Sequence, residues 1–367
     1  MRKIFKRLHL WFSIPFGIII AVICLSGSVL VFENDITDLM RRDLLIVNSV
    51  GEQTLSMDSL MHIAQNELKE GQQITGVSIF PDSQSTYRFN LSTPKRGFIS
   101  IDPYTGEMKG VCERSPFFLF FFRLHRWLLI SLDPNGGISW GRVIVGTSTI
   151  CFTFILLTGI CIWVPKSGKA LKNRLSIKTK KGSKRLVYDA HVCLGIYAVL
   201  FLLIMSLTGP TWSFEWYRNG FYDVFGAKST SKSTGKNTSI KKSEDSESKI
   251  NYAVWDGIIA ESQQKYSDYS QLIVSDGSIT VQYPHWGNQR ESDMYKFDKQ
   301  NGQIVDFSPY ASIPKAAKLR GWIYSMHIGD WGGYFSKILY FLSVLIGFIL
   351  PLTGLYIWIS RKVRKKR

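Results

Sequence analysis

The chain has 367 residues, 45% of them hydrophobic, and 45 Lys/Arg against 28 Asp/Glu give it a net charge of +17. The charge is gathered: four basic residues lie in Arg2–Arg7, nine between Pro165 and Leu186, and six in Arg361–Arg367. Setting these 19 aside leaves 26 Lys/Arg against 28 Asp/Glu, so the basicity reports membrane topology and excludes nucleic acid as a partner.

From the N-terminus, a basic start runs into the apolar stretch Trp11–Phe32. It is long for a signal peptide and three more stretches follow, at Ile138–Val164, Val187–Pro210 and Phe335–Ile359, so it reads as a retained first span. Each meets the requirement of roughly 20 largely apolar residues for crossing a bilayer. The three basic clusters then belong in the cytoplasm, with both termini. The localisation this predicts is a bacterial inner (cytoplasmic) membrane, with two domains outside the cytoplasm.

The expected organisation follows in chain order: 1–33, cytoplasmic N-terminus and first span; 34–116, an extracytoplasmic domain; 117–164, an outer-side His segment and second span; 165–186, a basic cytoplasmic loop; 187–225, the third span and an outer extension. Residues 226–249 are rich in Ser, Thr and Lys and too polar to fold, so they read as a linker. A second extracytoplasmic domain spans 250–320, and 321–367 carries an outer-side His segment, the fourth span and a basic tail.

Both outer segments predict the same α+β order. In the first, a helix at Met57–Leu68 precedes strands at Thr75–Phe80 and Tyr87–Leu91 and the hairpin FISIDPYTGEMKGV. In the second, a helix at Val254–Lys265 precedes strands at Gln271–Val274 and Ser278–Tyr283 and the hairpin MYKFDKQNGQIVDF. The fold class predicted is a mainly α membrane protein, a four-helix transmembrane bundle from an internal duplication, with two α+β extracytoplasmic domains.

The duplication shows in the spans too. His9 precedes Gly27 of LSG by 18 residues and His191 precedes Gly209 of LTG by 18. Eighteen residues make five helical turns, about 27 Å, so each Gly lies on its His face near the opposite membrane surface, where a missing side chain makes room for a cofactor or a close helix. LLTGICIWVPK around Gly159 matches PLTGLYIWISRK around Gly354, and His125 before LDPNGG corresponds to His327 before GDWGG. Twelve residues separate His125 from Gly137 but six separate His327 from Gly333, which predicts an extra helical turn or re-entrant segment in the first copy. Both halves start inside, so the repeats are parallel about an axis along the membrane normal.

That axis pairs His9 with His191 at the cytoplasmic surface and His125 with His327 at the outer one. Intramembrane ionisable groups are costly and mark functional sites. Zn, Cu, Ni and non-haem Fe also take imidazole, but usually with three or four ligands gathered at one place. Two imidazoles at each of two levels fit two haems better, and with no CxxCH they would be haem b. Asp189 and Asp330 are near enough in sequence to accept from a ligand's other ring nitrogen, with helix capping the alternative for Asp189. Arg123 and Arg126 flank His125 and suit haem propionates, an anionic chelate or lipid phosphate. His62 reads as an ordinary helix residue and His285 as a loop residue, and the five cysteines offer no disulfide ladder.

The segments RLHLWFSIPFGIIIAVICLSG, FRLHRWLL, DAHVCLGIYAVLFLLIMSLTG and SMHIGDWGG, with the span end LTGLYIW and the outer hairpins, resemble the PepSY-associated transmembrane proteins over nearly the whole chain. The resemblance implies PepSY-like outer domains and a role in iron uptake beside di-haem ferric-siderophore reductases, whose haem ligands carry over onto His9, His125, His191 and His327. The function expected is a haem-dependent ferric-chelate reductase: electrons from a quinol or cytoplasmic donor cross the lipid bilayer to a ferric siderophore or other Fe(III) chelate. The rivals are a metal or siderophore transporter and a PepSY-type anchored binding or regulatory protein without haem.

Overall fold

The computed structural model describes residues 1–130, 137–227, 251–284 and 286–366. Nearly all of the expected linker, most of the LDPNGG turn and His285 lie outside the described residues. In chain order the helices and strands are α1 (Arg2–Val31), α2 (Glu33–Met40), α3 (Arg42–Leu45), α4 (Met57–Asn66), β1 (Ile74–Ile79), β2 (Tyr87–Leu91), β3 (Phe98–Ile101) and β4 (Met108–Cys112). Next come α5 (Pro116–Trp127), α6 (Trp140–Trp163), α7 (Gly168–Arg174), α8 (Ser183–Thr208) with a 3-10 turn at Gly209–Trp212, and α9 (Glu215–Val224). The chain continues with α10 (Ala253–Lys265), β5 (Gln271–Ser275), β6 (Ser278–Gln282), β7 (Ser292–Phe297), β8 (Ile304–Ser308), α11 (Lys315–Ile328) and α12 (Gly333–Lys366). Two compact units result, one of residues 1–33, 116–227 and 322–367 and one of 34–115 and 228–321.

The first unit is a helical bundle. Helices α1, α6, α8 and α12 are long and apolar enough to cross a membrane, as the four runs predict. Their centre is an apolar layer of Ile20, Cys24, Phe152, Ile155, Leu156, Ala198, Leu202 and Val344. Lipid chains are as apolar as leucine, so close packing rather than water exclusion has to hold such helices together, and small residues sit at the contacts. A Cβ on Gly347 would stand 2.8 Å from the Leu202 side chain and 3.0 Å from Cys24 Sγ. At the start of α6, a Cβ on Gly141 would collide with Trp127 O, so the glycine lets α5 and α6 touch backbone to backbone.

The second unit is a single antiparallel sheet in the order β4-β3-β2-β1-β5-β6-β7-β8. The sequence predicts two separate α+β domains; the two four-stranded halves instead join through β1 and β5, with Val77 opposite Val274 and Ile79 opposite Leu272. The physical reason is that β1 and β5 would each leave a row of unpaired backbone groups, which mutual pairing satisfies. Helices α4 and α10 cover one core containing Met57, Leu60, Val77, Phe89, Ile99, Trp255, Leu272 and Ile279. Each fully buried side chain of that size contributes about 1.5–3 kcal/mol. The Asp256 carboxylate on α10 accepts from Met57 N at 2.9 Å and so caps the first turn of α4.

Candidate functional site

All four predicted histidines lie in the bundle, half-buried, and each ring rests on a glycine of another helix. A Cβ at Gly159 would stand 3.4 Å from His9 Cε1, one at Gly354 3.4 Å from His191 Cε1, one at Gly209 3.4 Å from His327 Cε1, and one at Gly27 3.0 Å from His125 Cε1. The 18-residue spacing within α1 and α8 thus has a concrete meaning. Each of these helices carries a histidine at one end and, at the other, the glycine seat for a histidine of the other pair.

The Nδ1 partners repeat as regularly as the glycines. His9 Nδ1 lies 3.0 Å from Ile155 O and 3.1 Å from Thr158 Oγ1. His125 Nδ1 lies 2.9 Å from Ile23 O and 3.4 Å from Ser26 Oγ. His191 Nδ1 is 2.8 Å from Thr353 Oγ1 and within reach of the Leu350 carbonyl. His327 Nδ1 is 2.9 Å from Thr208 Oγ1 and within reach of the Met205 carbonyl. In every case the hydroxyl comes one residue before the seating glycine and the carbonyl four before it, positions that share one helical face.

These hydroxyls fix the tautomer. Thr158 Oγ1 donates to Phe154 O at 2.8 Å, Thr208 Oγ1 to Ile204 O at 2.8 Å, Thr353 Oγ1 to Leu350 O at 2.9 Å and Ser26 Oγ to Val22 O at 2.7 Å. A hydroxyl has one hydrogen, and each is spent on its own helix, so toward the imidazole it can only accept. A carbonyl also only accepts. Nδ1 is therefore the protonated nitrogen on all four rings, and Nε2 keeps the lone pair a metal needs.

The histidines pair as predicted at one end of the bundle: the ring centres of His125 and His327 lie 6.2 Å apart with planes tilted by 59°. A metal between two imidazoles, with bonds of about 2 Å and roughly 1.2 Å more from nitrogen to ring centre, sets the centres about 6.4 Å apart. The donor type and the ring-centre spacing suit two imidazoles that share one metal ion. His9 and His191 lie within electrostatic range of each other at the opposite end. Among the described residues no group of three or more His, Cys, Asp or Glu is gathered for a metal ion.

The other predicted site residues divide. Asp189 is buried inside α8 and pairs with Arg185 at 2.9 Å, lining a cleft of about 230 Å³ with Asn173, Arg174 and Tyr188. Asp330 pairs with Lys337 at 3.5 Å. The Nδ1 partners come from Thr, Ser and backbone carbonyls of neighbouring helices, residues that proximity in sequence to a histidine does not find. Asp189 also lies beyond the first turn of α8, so it is not the N-cap. Arg123 is exposed, whereas Arg126 is half-buried with its guanidinium carbon 6.0 Å from the centre of the Trp212 ring. Trp212 in turn meets His327 edge to face at 5.0 Å. His62 is an exposed helix residue, as expected.

Four apolar helices long enough to span, whose glycines seat four half-buried histidines, define a multi-span membrane protein. The family model of the PepSY-associated TM region matches residues 6–361, and the chain belongs to that family. No curated protein matches the chain.

Proposed function

We propose that the protein is a transmembrane electron carrier of two haem b sites, one held by His9 and His191 and one by His125 and His327, which delivers electrons to a ferric siderophore or other Fe(III) chelate. The observation that carries this reading is the shared tautomer: four rings, each with Nδ1–H bound to the helix behind it, each offering Nε2. Bound haem would supply reversible one-electron chemistry at each level, where two imidazoles would hold it. The chain's own residues hold the rings. The glycines admit them between helices, the Thr/Ser hydroxyls and carbonyls orient them, and the apolar layer around Leu202 excludes water between the two pairs.

The equivalent seats in both halves support an internal duplication with a pseudo-two-fold axis along the membrane normal. The basic clusters support cytoplasmic termini, the His9/His191 pair on the cytoplasmic side and the sheet unit outside. The chelate rests on the family resemblance, and so does an inner-membrane role in iron uptake with a quinol or cytoplasmic donor. The test is a pyridine haemochrome assay with redox titration of the wild type and the four His→Ala variants. Two haems per chain are expected, with His9→Ala and His191→Ala removing one component and His125→Ala and His327→Ala the other. Folded protein without haem overturns the reading.

A further inference from the structure

Near His125 and His327 the bundle holds two cations that no acidic side chain among the described residues pairs with. Arg126 follows His125 on α5, with its guanidinium carbon 5.9 Å from the centre of the Phe122 ring and 6.0 Å from that of Trp212, the ring that packs on His327. Arg142 lies in the first turn of α6, and the backbone contact of Gly141 with Trp127 brings that turn against the end of α5. Arg126 directly precedes Trp127 and Arg142 directly follows Gly141, so the backbone contact between Trp127 and Gly141 sets both cations at one junction of α5 and α6. Among the described residues no Asp or Glu pairs with either, and Arg142 Nε is buried without a hydrogen-bond partner.

Burying one unpaired cation is unfavourable, and holding two together is more so. The arrangement is relieved by an anion between them. Guanidinium matches carboxylate best, through two parallel N–H···O bonds. Arg123, exposed to solvent, has no such need.

We propose that Arg126 and Arg142 form a carboxylate clamp at the His125/His327 end of the bundle, and that it takes the carboxylate side chains of the haem bound there. The proposal rests on the haem reading above. The clamp would orient the bound group, which two imidazoles alone leave free to turn, and would add positive charge beside it. Both arginines are positioning residues. A soluble chelate could bring the same carboxylate chemistry, and the experiment separates the two sources.

The experiment titrates wild type, Arg126→Met and Arg142→Met in lipid-free detergent without any chelate, following the component that His125→Ala removes. Both Met variants are expected to keep two haems by pyridine haemochrome and to show that component at lower potential, because removing a nearby cation favours the ferric state. The component removed by His9→Ala should stay in place. Two haems with both potentials unchanged overturn the clamp and leave the haem reading intact, whereas wild type without haem removes the reading and the clamp together. If a Met variant loses the haem, Arg126→Lys and Arg142→Lys decide. Because Lys keeps the charge, retention at the wild-type or an intermediate potential supports the clamp, and loss overturns it. Ferric citrate provides the second arm: if it shifts the component in wild type and not in Arg142→Met, while the Met substitution alone shifts nothing, the carboxylate comes from solution and the assignment to haem fails.

Discussion

If Nδ1 donates on every ring, deleting the acceptor should matter most where the hydroxyl is the short contact. Thr353→Val keeps the shape of the side chain and removes only the oxygen 2.8 Å from His191 Nδ1. A lost neutral hydrogen bond costs about 0.5–1.5 kcal/mol, and the Leu350 carbonyl within reach of Nδ1 offsets part of the further cost of about 1–3 kcal/mol that a fully unsatisfied buried donor would carry. Thr158→Val is the control, because His9 Nδ1 retains Ile155 O at 3.0 Å. The expected costs are about 1–2 kcal/mol for Thr353→Val and under about 1 kcal/mol for Thr158→Val. Outer partners of metal-bound histidines are typically worth 10–100-fold in metal affinity, so the first variant should also release haem faster. At the other end of the bundle, Thr208→Val should be the damaging change and Ser26→Ala the mild one, since Ser26 Oγ is 3.4 Å from His125 Nδ1 and Ile23 O is 2.9 Å away. Thermal unfolding in detergent and the rate of haem transfer to an apoprotein acceptor measure both effects. Equal losses within each pair, or silence in all four, would refute the assignment of Nδ1 as donor.

The glycine seats predict a second contrast: Gly27→Ala brings a methyl 3.0 Å from His125 Cε1, whereas Gly159→Ala and Gly354→Ala bring one only to 3.4 Å. Overpacking of about 1–3 kcal/mol should outweigh the helix-propensity gain of about 1 kcal/mol at the first site, while the gain decides at the others; thermal midpoints and haem content rank the three. Gly141→Ala should disrupt the α5–α6 contact and selectively weaken the His125/His327 component, read by redox titration. In the sheet unit, burial holds the Asp256 carboxyl above the usual carboxylate range against the opposing Met57 N–H, with Asp58 adding a smaller push upward. The folded state therefore keeps that proton longer than the unfolded one, so this group's contribution to stability grows as pH falls through its folded pKa and is complete below the ordinary value near 3.8. Asp256→Asn should remove that increment and keep an acceptor for Met57 N; hydrogen exchange across α4 at several pH values would show it, and an unchanged pH profile would count against it.

What the sequence makes legible depends on whether the signal is local. A span announces itself by length and apolarity, so all four appear, although α12 runs on through its basic tail where the apolar run ends. Strands β1–β8 follow from local strand and turn signals, yet nothing local says that Val77 will pair with Val274, and the sheet's unity stays hidden. The histidines show the same division. Their pairing is readable because the His-to-Gly spacing recurs in the two halves of the sequence, but Asp189 and Asp330 are drawn in as partners by proximity in sequence, while the groups that bind Nδ1 lie on other helices. Those groups do leave a trace, for a hydroxyl directly precedes the glycine in LSG, LTG, LTG and LTG, at Ser26, Thr158, Thr208 and Thr353. Treating each glycine as a gap misses that the pair works as one unit, in which the glycine admits a ring and the hydroxyl turns it. The one serine falls at the tightest seat, 3.0 Å against 3.4 Å elsewhere, and there the backbone carbonyl of Ile23 supplies the short bond. The smaller hydroxyl therefore coincides with the seat where less room remains and less help is needed.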